Sequence, residues 1–360
     1  MASEQRAAVK VDIALQGGGS HGAFTWGVLS RLLEEDWLGI QGVSGTSAGA
    51  MNAVALVQGL LEGGNPRAQE LLEKYWMDVS RAARLSPIRR GPLDRFLGRW
   101  SLDYSPTYLA SEIFGRLLSP YQLNPANVNP LRDIVAKCFD FDLVNGSEDI
   151  KLFLCATNVR TGRPKIFRQP DISVDTVMAS ACLPKLFKAV EIDGEAYWDG
   201  GYMGNPPLFP LIDETTARDV ILVQINPFER DEIPTTAAEI DNRLNEITFN
   251  SSLVKELRAL GFLWEIIHHE NLDREAYRDS RLHVIGAERD LCGLGASSKL
   301  NAEEAFLRHL FDIGHKAASD WLDENAAHIG VQSTWTPQPL WEESLEPAHL
   351  EPGTKRKLPL

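Results

Sequence analysis

The chain has 360 residues, 44% of them hydrophobic, enough to bury one sizeable core; length alone permits either one large α/β domain or two smaller ones. Fifty acidic against thirty-six basic residues give a formal charge of -14, which speaks against a nucleic-acid binder dependent on phosphate neutralisation and repels the molecule as a whole from an anionic membrane. The four cysteines, Cys138, Cys155, Cys182 and Cys292, show no C-x-x-C spacing, so neither a zinc site nor a disulfide framework is expected and a reducing cytoplasm fits.

The opening segment MASEQRAAVK is polar and lacks the apolar stretch of a secretory signal. No run approaches the roughly 18 apolar residues that span a bilayer. Even Ala48 to Leu61 is broken by Gly49, Asn52, Gln58 and Gly59. Any membrane contact is therefore expected to be peripheral, at the inner surface.

Val11 to Leu15 reads as a short buried strand entering the run Gly17-Gly18-Gly19, and Gly22 to Glu35 shows helical spacing through Trp26, Leu29, Leu32 and Leu33. The pattern then repeats. Ile40 to Val43 is strand-like, Gly45 to Gly49 is a turn, and an apolar helix of small residues runs from about Ala50 to Leu61. Two βα units in succession predict a parallel sheet.

Arg81 to Asn129 interrupts this regularity with Pro87, Pro92, Pro106, Pro120 and Pro125 and with short apolar helical pieces, and reads as an inserted cap. Later strands are expected over Lys151 to Thr157, Lys165 to Arg168, Lys188 to Ile192, Val220 to Ile225 and Leu282 to Gly286, with a helix over Val174 to Ala181. A single α/β domain over about 11 to 325 is economical. The proline-rich end, 334 to 360, is expected to be an extended or disordered tail.

Three segments carry chemistry. In Gly45-Thr46-Ser47-Ala48-Gly49 a serine stands two residues from each of two glycines at a strand-to-helix turn, where the chain can bend sharply and expose the hydroxyl. The following helix aims its positive end and first-turn N–H groups at Ser47, favouring the negative charge that develops when a carbonyl is attacked. Glycine and serine are also common turn residues, so the pentapeptide alone is weak.

The segment Gly17-Gly18-Gly19-Ser20-His21-Gly22 formally matches G-x-G-x-x-G and so suggests a dinucleotide loop. That reading wants an acidic residue at the end of the second strand, where Gln41, Gly42, Val43 and Ser44 stand instead. The other use of the N–H groups of Gly17, Gly18 and Gly19 is an oxyanion hole. In Tyr197-Trp198-Asp199-Gly200-Gly201-Tyr202, Asp199 ends an apparent hairpin and could reach Ser47, although an aspartate before glycine is ordinarily a turn former.

GGGSHG, then GTSAG 23 residues after its last glycine, then DGG, resembles the patatin-like phospholipases in order and spacing over about 11 to 320. Ser119 to Pro125, Ala179-Ser180-Ala181 to Pro184 and Asn205-Pro206-Pro207 are similar to bacterial members of that family. The resemblance implies a three-layer α/β fold related to the α/β-hydrolases, with a mainly parallel central sheet and an inserted helical cap. It also implies a Ser-Asp dyad without an essential histidine, no cofactor, and hydrolysis of acyl esters in phospholipids, lysophospholipids or neutral lipids. On this reading Ser47 is the nucleophile, Asp199 the base, and Gly17, Gly18 and Gly19 the oxyanion donors. Gly22, Gly45, Gly49, Gly200 and Gly201 support the motifs.

An ordinary aspartate, with a pKa of about 3.9, is a poor base for a serine hydroxyl, so the dyad requires a sheltered site, and Trp198 and Tyr202 are candidates to desolvate it. His21 departs from the family pattern by standing where many relatives carry Arg or Lys. It is either a capping or surface histidine or an auxiliary catalytic member. His268-His269 lacks metal-binding spacing, and no metal is expected.

Arg81 to Arg99 holds six arginines against the single acid Asp94, with Leu85, Ile88, Leu93, Phe96 and Leu97 interleaved. The segment suits peripheral contact with an anionic lipid surface, or pairing with surplus carboxylates of the same molecule. Two other functions remain open: an acyltransferase handling CoA or carrier-protein thioesters, which generally has histidine where Thr46 stands, and a non-catalytic lipid-binding regulator.

Overall fold

The computed structural model describes residues 6–337 except 85, 87, 104 and 271–277; the expected tail beyond 337 lies outside the described residues. Among the described residues eight strands form one sheet: β1 (Val9–Leu15), β2 (Leu38–Gly45), β3 (Lys151–Asn158), β4 (Pro164–Arg168), β5 (Val190–Ile192), β6 (Glu195–Asp199), β7 (Asp219–Val223) and β8 (Arg281–Ile285). β1 pairs in parallel with β2 and β7, β2 with β3, and β7 with β8; β4, β5 and β6 join antiparallel. The central strands are apolar runs buried on both faces, as a helix-covered parallel sheet requires.

Strand alternation divides the interior into two layers. Ile13, Leu152, Leu154, Ile221 and Val223 pack against α1 (Gly22–Leu32), α2 (Ala48–Ala83), α3 (Val174–Ser180) and α5 (Glu304–Asn325). Their neighbours Ala14, Phe153, Val220 and Leu222 face the other way, against Leu208, Leu211 and the Leu253, Leu257 and Leu260 stripe of α4 (Ala237–His269). The result is the three-layer α/β architecture with a mainly parallel sheet.

The registers on β3 position the site. β4 follows one edge of β3, while β2 and β6 share the other edge end to end: Gly45 is opposite Leu154, and Asp199 is opposite Ala156. The end of β2 and the end of β6 are thus two β3 residues apart, roughly 7 Å along a strand. β6 is turned into this place by the two-residue loop Asp193-Gly194, both at positive φ, as a tight hairpin demands.

α2 extends beyond the expected end at Leu61. Gly63 and Gly64 (φ 74) kink it, and it continues past Pro66 to Ala83, so Arg81 belongs to this helix rather than to the cap. The rest of 81–129 holds short helices at Pro92–Phe96, Pro106–Leu117 and Pro120–Leu123, each begun by a proline whose missing N–H costs nothing there. Its arginines are largely paired: Arg81 with Asp78, Arg84 with Glu304, and Arg90 and Arg95 with Glu303. The end of the described chain is tied down, because Thr334 and Trp335 N–H donate to Leu282 O on β8.

Candidate active site

Ser47 sits between β2 and α2 with φ 55 and ψ -121, a conformation that costs an L-residue about 1–3 kcal/mol and persists only where its surroundings enforce it. Enforcement comes from contact on every side. A Cβ at Gly45 would lie 2.4 Å from Gly49 O, and one at Gly49 would lie 2.2 Å from Leu15 O, so neither position admits a side chain. Gly49 N–H donates to Thr46 O, Thr46 Oγ1 donates to Gly204 O, and Ser47 N–H donates to the buried Ser180 Oγ at 2.9 Å. Ser180, at the end of α3, is a site residue that the motifs did not single out; the similarity of Ala179-Ser180-Ala181 was its only signal.

Asp199 is fully buried. Its Oδ1 accepts from Gly201 N–H at 2.7 Å, while Oδ2 has no hydrogen-bond partner among the described residues. The Ser47 hydroxyl is near enough to favour the ionised carboxylate, though outside hydrogen-bond geometry. Burial outweighs that influence, the Gly201 hydrogen bond and the positive charge of Lys299, and pushes the carboxyl up to about 7. The shelter differs from expectation at Trp198, which alternation along β6 turns to the opposite face, whereas Tyr202 is close enough to feel the Asp199 charge, as are Cys155, Cys182 and Lys299. Gly200 and Gly201 admit no Cβ either, against Cys155 O and the Phe249 ring, and Gly22 is pressed by Ala48 and Trp76.

The glycine run divides by role. Gly17 N–H already donates to Asn205 Oδ1 at 2.6 Å, which corrects its expected part as an oxyanion donor. Its place is structural: a Cβ there would lie 2.8 Å from Ser47 Cβ. Gly18 and Gly19 line a cavity of about 510 Å³ together with Ser47, Ala48 and Asp199, and the N–H groups of Gly18, Gly19 and Ala48 donate to no protein acceptor among the described residues. Apolar side chains of α2 (Met51, Tyr75, Trp76, Val79), Ile88 of the cap, and Leu131, Ile134 and Phe187 complete the wall.

His21 is buried and does not line this cavity. Its Nε2 lies 2.7 Å from Ser298 Oγ, and since the Ser298 hydroxyl proton is donated to Gly295 O, Nε2–H is the donor. Burial first, and Lys299 second, push the ring down to about 3, so it is neutral and edge-on to Phe306. The structure does not bring it in as an auxiliary catalytic group. It fastens the 3-10 turn Ala296–Leu300 to the glycine loop. That turn delivers Lys299, which lines the cavity and belongs to none of the three motifs. His268 is stacked on Trp264, far along α4.

A family model described as patatin-like phospholipase matches residues 13–212. No curated protein sequence matches the chain. Among solved structures the chain is similar to VipD from Legionella pneumophila, at 15% identity and a TM-score of 0.39 over 87% of this chain and 66% of that one. It is also similar to the type III effector protein ExoU, at 14% identity and a TM-score of 0.34 over 87% and 53%. The ExoU–SpcU complex from the type III secretion system of Pseudomonas aeruginosa gives 17% identity and a TM-score of 0.32 over 92% and 74%. The chain therefore spans just under two thirds of VipD and about half of the ExoU chain. With the family model covering more than half of its 360 residues, the chain belongs to the patatin-like phospholipases, a family of lipid-ester hydrolases.

Proposed function

We propose that the chain hydrolyses acyl esters of phospholipids or lysophospholipids through a covalent acyl-enzyme on Ser47, with Asp199 as the base. The observation that carries this reading is the shared cavity: a strained serine at the start of α2 and, among the described residues, a buried carboxylate with one unbonded oxygen and unclaimed N–H groups on Gly18, Gly19 and Ala48.

As Ser47 Oγ attacks the ester carbonyl, Asp199 takes its proton. The oxyanion receives the N–H groups of Gly18, Gly19 and Ala48, each donor of this kind contributing about 2.7–4 kcal/mol to lowering the barrier. Collapse of the tetrahedral intermediate breaks the ester C–O bond, and Asp199 returns the proton to the leaving alcohol. Water then attacks the acyl-serine with Asp199 again accepting a proton, and the fatty acid departs as Ser47 is restored. The apolar wall accommodates the acyl chain, and the cap segment 81–129 shapes its outer end through Ser86 and Ile88. Peripheral lipid contact by 81–99 rests on the exposed Phe96 and Leu97, since Arg81, Arg84, Arg90 and Arg95 are paired within the molecule. No helix among the described residues is long and apolar enough to cross a membrane.

The test is hydrolysis of p-nitrophenyl butyrate and octanoate by the wild type, Ser47→Ala and Asp199→Asn, with folding of each checked by circular dichroism. Both folded variants are expected to lose at least ~100-fold, as removal of a nucleophile or general base predicts. Variants that match the wild type would refute the site.

A further inference from the structure

Among the described residues Lys299 is the cation of the cavity that holds Ser47 and Asp199, and it also borders the adjoining groove beside Tyr202 and Leu244. Its backbone is pressed on the glycine loop: a Cβ at Gly19, where φ is 58, would lie 2.5 Å from Lys299 O. The Lys299 ammonium donates to two neutral acceptors, Asn226 Oδ1 at 2.9 Å and Asn245 Oδ1 at 2.8 Å. Asn226 in turn donates to Gly17 O at 3.0 Å, so the ammonium and the glycine loop are held in one network.

No carboxylate lies within ion-pair distance of Lys299 among the described residues. Glu246, which is close enough to attract it, is already held by Arg230 and Arg243. An ammonium has three donors, and two are spent on amides that cannot neutralise it. In a chain of net charge -14, this is an ammonium without an ion-pair partner among the described residues, on the wall of a mostly apolar cavity that also holds Asp199. Burial draws the amine down to about 8, so it remains mostly protonated at neutral pH. Glu246 and Asp199 favour the charged amine, Arg230 opposes it, and His21 is neutral.

We propose that Lys299 determines specificity by holding the anionic phosphate of a lipid headgroup beside the scissile ester. The inference rests on the acyl-hydrolase reading above for the identity of the ester, but its test does not depend on turnover.

Binding of two non-hydrolysable ethers, 1-O-octylglycerol 3-phosphate and 1-O-octylglycerol, to the full chain is measured by isothermal titration calorimetry, with inorganic phosphate as a third probe. The wild type is expected to prefer the phosphorylated ether by roughly 10- to 100-fold, the range for a hydrogen bond to a charged group. Lys299→Gln should abolish the preference and Lys299→Arg retain much of it. Asn245→Asp, which sets a carboxylate on the ammonium while leaving Lys299 in place, should abolish it too and serves if Lys299→Gln does not fold. A wild type without preference, or a folded Lys299→Gln or Asn245→Asp that keeps it, overturns the proposal. Inorganic phosphate binding as tightly as the ether would make this a free-anion site and overturn the headgroup assignment. Loss of p-nitrophenyl ester hydrolysis in Ser47→Ala reports separately on the dyad.

Discussion

Gly201 N–H donates to Asp199 Oδ1 at 2.7 Å, while the buried Oδ2 accepts no hydrogen bond among the described residues, and the Ser47 hydroxyl is near enough to favour the ionised carboxylate. One oxygen is held and the other is available, and burial raises the carboxyl to about 7. A base acts only when deprotonated, so kcat/KM for a neutral ester should climb with pH and level off above about 7. A pH–rate profile with p-nitrophenyl butyrate checks this; an inflection near 4 would mean that Asp199 is not desolvated during turnover.

The same burial makes Asp199 a cost to folding. Its carboxyl lies near 3.8 when unfolded and about 7 when folded, so between those values the folded state binds the extra proton and stability falls as pH rises. Above about 7 the full penalty, of order 4 kcal/mol, is present. Asp199→Asn should therefore raise Tm at pH 8 by several degrees and have progressively less effect toward pH 4, as followed by differential scanning calorimetry. An equal Tm change at both pH values would count against a buried charge.

Ser180→Ala removes the acceptor for Ser47 N–H and leaves that donor buried, at a cost of about 1–3 kcal/mol. Because the bond holds the strained turn rather than the substrate, kcat should fall while KM changes little. Steady-state kinetics together with a urea melt distinguish this from general destabilisation, in which the folded fraction would keep wild-type kcat.

His21→Ala deletes the bond to Ser298 and the packing on Phe306, costing about 2–4 kcal/mol. The pH–rate midpoint for the neutral ester should stay where it is, because His21 lies outside the cavity and is already uncharged. A midpoint that moves would reinstate His21 as a member of the titrating site.

Local physics made much of this legible in the sequence. A short apolar run entering Gly17-Gly18-Gly19, and another entering Gly45 to Gly49, predict strand-turn-helix units because glycine alone fits the close approaches at such turns, and the structure has both. The segment around Asp199 likewise reads as a hairpin end. The periodicity does not delimit the long helices α4 and α5. In α4, apolar positions such as Ile240, Leu244, Ile247 and Phe262 are exposed alongside the buried stripe, which blurs the period that would announce it.

By itself the sequence determined where the chain must turn, where a serine hydroxyl must be presented and which family pattern it follows, since these depend on residues adjacent in the chain. Tertiary structure decided which groups at those turns are available. Gly17 N–H is claimed by Asn205, 188 residues away, and His21 is bonded to Ser298, 277 residues away. Arg84, Arg90 and Arg95, which the sequence leaves between a lipid surface and pairing within the molecule, are drawn to Glu303 and Glu304, and Lys299 arrives from a turn fastened to the glycine loop. Hydrogen-bond occupancy, desolvation and charge pairing belong to the partners that surround a group in space, and residues distant in the chain become partners only when the sheet and its helices close around them.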